Sequence, residues 1–298
     1  MIQVSIVGFG NVGRYAYEAL KTTPDMELRS IVETPDVRVP SGMEKFWVKD
    51  IRDIRANGNV DAAILCLPSR LCPDAAETLL KMGISTVDAY DIHTDIWKEK
   101  CRLDAVAKEF GAAAIIAAGW DPGSDSVLRA LMEAMAPRGI SYVDFGPGMS
   151  MGHSVAARAV EGVENALSMT IPAGAGVHRR MVYVQLKTGA DIKKVTQLIK
   201  ADPYFCHDET HVKQVDDITA LLDMGHGVHI TRKGSSGNTH NQIMEFSMRI
   251  NNPALTSQVL VSSARAVMKQ TPGCYTMIEI PVIDLLPGGR EELISRLV

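Results

Sequence analysis

The run Ile2 to Val7, IQVSIV, leads directly into GFGNVG, and this junction constrains the chain more than any other stretch. Six residues rich in Val and Ile suffice for one buried parallel strand, and Arg14 to Leu20 continues with helical spacing. Between them Gly8, Gly10 and Gly13 keep the G-x-G-x-x-G spacing. In that pattern the first glycine makes a tight turn, the second lets backbone approach a pyrophosphate, and the third lets helix and strand pack closely. The helix N-terminus adds unpaired N–H groups and the positive end of a dipole. The spacing therefore predicts a dinucleotide site on the backbone of Gly8, Gly10, Asn11, Val12 and Gly13, although glycines so spaced also make ordinary turns.

Strand and helix patterns alternate up to about residue 118. Met26 to Val32, Ala62 to Leu67, Thr86 to Ala89 and Ala113 to Ala117 read as strands, with helices over Pro73 to Met82 and Asp95 to Phe110. Apolar strands separated by helices imply a parallel sheet covered on both faces. Beyond Gly119 the pattern changes. A helix over Gly123 to Ala136 is followed by alternating segments at Ser141 to Phe145, Arg180 to Lys187, Gly227 to Arg232 and Asn241 to Ile250. Pro253 then opens a helix reaching about Lys269. The expected fold is α/β, a Rossmann-type doubly wound parallel sheet with a second α+β domain. Residues 1–118, completed by about 252–298, form the dinucleotide domain, and 119–251 the substrate and dimerisation domain. The C-terminal portion is expected to pack back on the first domain, leaving a cleft and two hinge crossings.

A chain of 298 residues with 46% hydrophobic and 22% charged residues has ample core and a polar surface. Its net charge of −4 offers no electrostatic case for nucleic acid or an anionic membrane as partner. The longest apolar segments are too short to span a bilayer, and no cleavable leader precedes the first strand, so a cytoplasmic location is expected. Cys66, Cys72, Cys101, Cys206 and Cys274 are odd in number and scattered, which argues against a disulfide framework or a structural metal. Cys66 reads as a core residue of its strand.

Four clusters gather polar residues between apolar elements. VDAYD, Val87 to Asp91, ends a parallel strand, where ligands of open α/β sheets bind. Asp88 and Asp91 there face either a substrate amine or, for Asp88, the cap of the next helix. GWDPG, Gly119 to Gly123, offers Trp120 as a flat apolar wall and Asp121 as either a catalytic carboxylate or an N-cap. FGPGMSMGHS, Phe145 to Ser154, reads as a loop whose N–H groups are available to an anion, with His153 either a titrating group or an ordinary loop residue. Thr170, Arg180, His226 and Asn252 are separated polar pieces, of which Arg180 suits a carboxylate. Glu33, twenty residues after Gly13, falls where an acidic side chain meets an adenosine ribose hydroxyl, or is simply a solvated loop carboxylate.

With GFGNVG, VDAYDIH, AGWDPGSDS, FGPGMSMGHS, SMTIPAG, GHGV and RINNPALTSQV, the chain resembles the meso-diaminopimelate dehydrogenases over essentially its full length. These are the NADP-dependent amino-acid dehydrogenases of the lysine pathway. The MSMGHS segment and the length look like the branch called type II, whose members also aminate some 2-keto acids. The resemblance implies reversible oxidative deamination of the D-centre of meso-2,6-diaminopimelate to L-2-amino-6-oxopimelate and ammonia, by a homodimer. It implies that Asp91 and Asp121 hold the reacting amino group and that Trp120 and Phe145 wall the pocket. Met151 and Gly152 would line the loop, and Thr170, Arg180, His226 and Asn252 would bind carboxylates, mainly at the distal L-centre.

One departure stands out. The family carries basic residues after the second strand, whereas this chain reads Val32-Glu33-Thr34-Pro35, with Arg38 the nearest cation. Glu33 and Thr34 would meet the adenosine ribose, and use of NAD beside NADP is expected. Two other readings share the glycine motif. A reductase of a semialdehyde or cyclic imine would not consume ammonia with a keto acid. A non-catalytic dinucleotide sensor would bind cofactor without turnover.

Overall fold

The computed structural model describes residues 1–34, 36–222 and 225–298. Pro35, part of the departure after the second strand, lies outside them. The chain forms two compact units, Met1–Leu128 with Pro253–Val298, and Arg129–Asn252.

In the first unit six strands lie parallel in the order β3-β2-β1-β4-β5-β6: β1 (Ile2–Val7), β2 (Met26–Val32), β3 (Trp47–Val48), β4 (Ala62–Leu65), β5 (Ser85–Asp88) and β6 (Ala113–Ile116). The order reverses between β1 and β4, which is the switch point of a doubly wound sheet. The helices are α1 (Asn11–Lys21), α2 (Cys72–Lys81) and α3 (Ile96–Phe110). Val4, Ile6, Ile31 and Ile64 bury one face of the sheet with Ala16 and Leu20 of α1. Val7, Val32, Ala63 and Leu65 bury the other with Leu79 of α2 and Leu103 of α3. Burial on both faces removes any need for polar alternation, so these strands read as continuous apolar runs. Cys66 is an exception to that reading. It lies just past β4, where its N–H donates to the Val7 carbonyl at 2.7 Å.

Helix α4 (Ser124–Met135) contains the first division between the units. The expected boundary at residue 118 is therefore about ten residues early. The Gly119 N–H donates to the Pro122 carbonyl and the Asp125 N–H to the Trp120 carbonyl, and Val127 packs on the first unit's core. These contacts keep the turn and the start of α4 with the parallel sheet.

The second unit has two sheets. The strands are β7 (Arg138–Phe145), β8 (Gly148–Met149), β9 (Val163–Gly174), β10 (Val177–Leu186), β11 (Glu209–Gln214), β12 (Gly225–Ser236) and β13 (Thr239–Asn251). One sheet runs β11-β10-β9-β8 and the other β13-β12-β7, the latter wholly antiparallel. Helices α5 (Met151–Arg158) and α6 (Ile192–Ala201) bury Ala157, Val195 and Ile199 against Val182 and Val184 of β10. The segment Phe145 to Ser154 is not the loop expected of it. Its N–H groups are largely committed, Gly146 to the Gly227 carbonyl and Ser150 to the Ser168 carbonyl, and from Met151 onward it is helix.

After the second unit the chain returns to the first as α7 (Asn252–Val267), β14 (Gly273–Thr276) and α8 (Arg290–Leu297). Strand β14 pairs parallel with β6 at the sheet edge. Leu260, Val261 and Ala264 of α7 join the apolar cluster around Val4 and Ile6. Buried Arg265 grips both carboxylate oxygens of Asp25, at 2.5 and 2.8 Å. That hydrogen bonding holds the Asp25 carboxyl below its usual range.

The junction of β1 and α1 is a tight backbone contact positioning a candidate site. A Cβ added at Gly13 would stand 2.1 Å from the Gly8 carbonyl oxygen. Gly13→Ala must therefore push α1 off the strand, at a cost of about 1–3 kcal/mol from overpacking. Urea unfolding checks this; an unchanged midpoint would contradict the packing described.

Candidate active site

The glycine turn fits a pyrophosphate. Gly8 sits at φ +92°, and a Cβ there would lie 2.6 Å from the Cys66 carbonyl oxygen, so the turn can be made only without a side chain. A Cβ on Gly10 would meet nothing within 4 Å, which leaves the backbone open to an approaching group. The first bond of α1 runs from the Arg14 N–H to the Gly10 carbonyl. No side chain caps the helix and no acidic residue lies in its first turn. The N–H groups of Asn11, Val12 and Gly13 thus end the helix with no acceptor four residues back, as an anion requires. Ser257 of α7 supports this turn, its Oγ lying 2.7 Å from the Val12 carbonyl oxygen. Glu33 follows β2 and accepts the Phe9 N–H at 2.6 Å and the Thr34 N–H at 2.8 Å. Thr34 therefore has only its hydroxyl left to offer a ligand.

The next two strand ends carry the carboxylates. Asp88, at the end of β5, is buried and accepts the Tyr90 N–H at 2.9 Å and the Ala117 N–H at 3.4 Å, while its carbonyl accepts the Ala118 N–H. It is neither a helix cap nor a group reaching for substrate. It ties the loop after β5 to the loop after β6. Burial pushes its carboxyl up to about 6, against the pull of those two N–H groups. Asp91 sits in the first of these loops and accepts the Ser69 Oγ–H at 2.6 Å, while its own N–H points back to that oxygen. Trp120 and Asp121 sit in the second, Trp120 buried and Asp121 half-buried ahead of a cis Pro122. Because β5 and β6 are neighbours, Asp91, Trp120 and Asp121 follow adjacent strands at the carboxyl edge of the sheet.

In the second unit Arg180 on β10 faces Thr170 on β9 in register, and its Nη1 donates to the Thr170 hydroxyl. Its Nε donates to Asp208 at 2.6 Å. The guanidinium is therefore held from two sides, and its remaining Nη edge is what it can offer a carboxylate. Met151 and Gly152 open α5, and Gly148 of β8 pairs with Thr170. Phe145 donates its N–H to His178 Nε2 at 2.7 Å, with the two rings 5.4 Å apart. Buried His226 keeps Nδ1 at 2.8 Å from its neighbour's N–H, and Asn252 donates to the Met149 carbonyl at 3.4 Å.

Three histidines in this unit, His153, His178 and His226, are kept neutral, first by burial and then by the Arg180 charge. Burial pushes His153 down to about 3, with Ser150 on its Nδ1 and Tyr204 and Phe205 edge-on to its ring. His153 does not titrate near neutrality. Burial disfavours the charged rings and the guanidinium repels them, and together these outweigh Asp208, which favours the charged form of His153 and His178. The result is a polar cluster with one fixed positive group, suited to a carboxylate. Asp208, His178 and Ser69 escaped the sequence reading. Nothing in CHDETH, GVHR or LPSR has a motif's spacing, and only the β10–β11 register and the β4–α2 loop reveal their partners.

Known proteins resemble this chain from end to end. Residues 119–177 match the diaminopimelic acid dehydrogenase C-terminal domain family. The chain is 58% identical, over all its 298 residues and 99% of the relative, to a meso-diaminopimelate D-dehydrogenase of Bacteroides fragilis. It is 35% identical to the enzyme of that name from Lysinibacillus sphaericus, over 100% of this chain and 99% of the relative. Among solved structures, the C. glutamicum DAP dehydrogenase in complex with DAP superposes with TM-score 0.88 at 29% identity, covering 100% of this chain and 99% of that one. An engineered D-amino acid dehydrogenase bound to NADP+ superposes with TM-score 0.90 at 28% identity and the same coverage. Identity at this level from end to end leaves no segment of the chain unaccounted for: it belongs to the meso-diaminopimelate D-dehydrogenase family.

Proposed function

We propose that this chain catalyses reversible oxidative deamination of the D-centre of meso-2,6-diaminopimelate, yielding L-2-amino-6-oxopimelate and ammonia, and that it also aminates some 2-keto acids in reverse. The observation that carries this reading is Arg180, a half-buried cation braced by Thr170 and Asp208 among three neutral histidines. A diacid with an amine at each end needs a fixed cation for a carboxylate far from the reacting carbon. Thr170, His226 and Asn252 would complete that anchoring, and Phe145, Met151 and Gly152 would line the same pocket.

A nicotinamide dinucleotide, NADP in the family's usage, accepts the hydride when bound. Gly8, Gly10, Asn11, Val12 and Gly13 would hold its pyrophosphate. The substrate arrives with its amine protonated, and hydride leaves Cα only after that proton is gone. Asp91 takes it, directly or through water, and is oriented for this by Ser69. Asp121 holds the amino group from the neighbouring loop, and Trp120 excludes water from its apolar side. Water then hydrolyses the imine and releases ammonia. Remote binding through Arg180 fixes which end of the molecule is presented, so stereochemical choice follows from anchoring. The family reading carries with it a homodimer, a cytoplasmic location and a role in lysine biosynthesis.

Assaying purified protein with meso-, LL- and DD-diaminopimelate tests the activity, and turnover confined to the LL isomer would refute it. Asp91→Ala should lower kcat by about a hundredfold or more, the share of a positioned base. Arg180→Ala should raise KM about tenfold or more with a smaller change in kcat. In Asp208→Ala the guanidinium loses its Nε partner, so KM should rise in the same direction but less, and Asp208→Asn should restore part of the loss. Equal, small effects of all these changes would mean that the residues have been given the wrong work.

A further inference from the structure

Glu33 is held more firmly than a surface loop carboxylate. One oxygen accepts the Phe9 N–H at 2.6 Å and the other the Thr34 N–H at 2.8 Å, while the residue's own N–H donates to the Val48 carbonyl of β3 at 3.0 Å. The Gly8 N–H donates to the Val32 carbonyl beside it, and the Phe9 ring is wedged edge-on against Trp47 at 5.6 Å and Tyr17 at 6.2 Å. Backbone and side chain are both pinned. The carboxylate therefore bridges the glycine turn and the residue after β2. Swinging it aside would leave the N–H groups of Phe9 and Thr34 to be paired elsewhere.

In a doubly wound sheet, a dinucleotide with its pyrophosphate on α1 brings its adenosine ribose to the end of β2. A carboxylate has about four acceptor positions, so two bonds to backbone leave capacity for ribose hydroxyl donors. A 2′-phosphate has no donor to give when ionised and carries roughly two negative charges. Among the described residues no Lys, Arg or His lies within ion-pairing distance of Glu33. Arg38, the next cation along the chain, is exposed and makes no hydrogen bond or ion pair there. The pyrophosphate half of NADP fits this turn; its 2′-phosphate does not.

Resting on the dinucleotide-dependent reading above, we infer that Glu33 reads the unphosphorylated adenosine ribose, so that NAD is a working coenzyme bound at least as tightly as NADP. The residue acts on coenzyme choice and leaves the amino-acid site to other groups.

Calorimetric titration of the full-length protein with NAD and NADP, in the absence of amino acid, tests this. The expected result is a Kd for NAD equal to or below that for NADP. Glu33→Arg should move the ratio toward NADP by at least about tenfold, the share of one hydrogen bond to a charged group. Glu33→Gln, which keeps an acceptor for Phe9, should move it less, and thermal unfolding identifies any variant that has lost its fold. If Glu33→Arg does not fold, the wild-type ratio and Glu33→Gln decide. NADP bound more than about tenfold tighter than NAD by the wild type would overturn the inference and leave the dehydrogenase reading intact. An unchanged ratio in a folded Glu33→Arg protein would overturn it too. Binding of neither nucleotide would remove the underlying reading, and this inference with it.

Discussion

The close approach of α1 to the end of β1 is the contact on which the first unit's chemistry depends. Gly13 lies on the Gly8 carbonyl with no room for a methyl group, and Gly8 takes a backbone conformation closed to other residues. Those two glycines point the open end of α1 outward and set Phe9 so that its N–H meets Glu33. The open end of α1 and the Glu33 carboxylate are therefore one piece of backbone geometry. A small shift of α1 would disturb both together.

The second unit solves a different problem, that of holding a cation in place while keeping nearby groups uncharged. Arg180 is oriented by Asp208 and Thr170, and its charge joins burial in keeping His153, His178 and His226 neutral. Only the guanidinium is left to attract a carboxylate strongly, and its direction is set by two partners. The first unit handles its acidic groups by a similar division. Asp88 is sunk into backbone N–H groups and stitches two loops, while Asp91, three residues on, is half-buried in the loop after β5 and accepts the Ser69 hydroxyl.

The first half of the chain is legible because its strands are buried on both faces and carry unbroken apolar runs between amphipathic helices. β1, β2, β5 and α3 lie within a residue or so of where periodicity puts them. Elements that depend on their neighbours are not legible in that way. Trp47–Val48 and Gly273–Thr276 are strands only because β2 and β6 lie beside them. Gly152 masks the start of α5, and buried Ser168 and Thr170 hide β9 among polar residues. Among the candidate residues, Arg180, Asp91 and Glu33 stand out by charge beside apolar elements. Asp208 and His178 do not, since what they do is set by partners about thirty residues away in the chain. Asp88 was visible as a strand-end carboxylate, but its role required knowing that the loop after β6 returns to it.

If one end of the diacid is anchored, hydride leaves only the stereocentre at the other. Deuterium placed at Cα of the D-centre of meso-diaminopimelate, and separately at the L-centre, tests it by mass spectrometry of the reduced nicotinamide. Label is expected in the nicotinamide from the D-centre alone. Transfer from the L-centre, or from both, would contradict it.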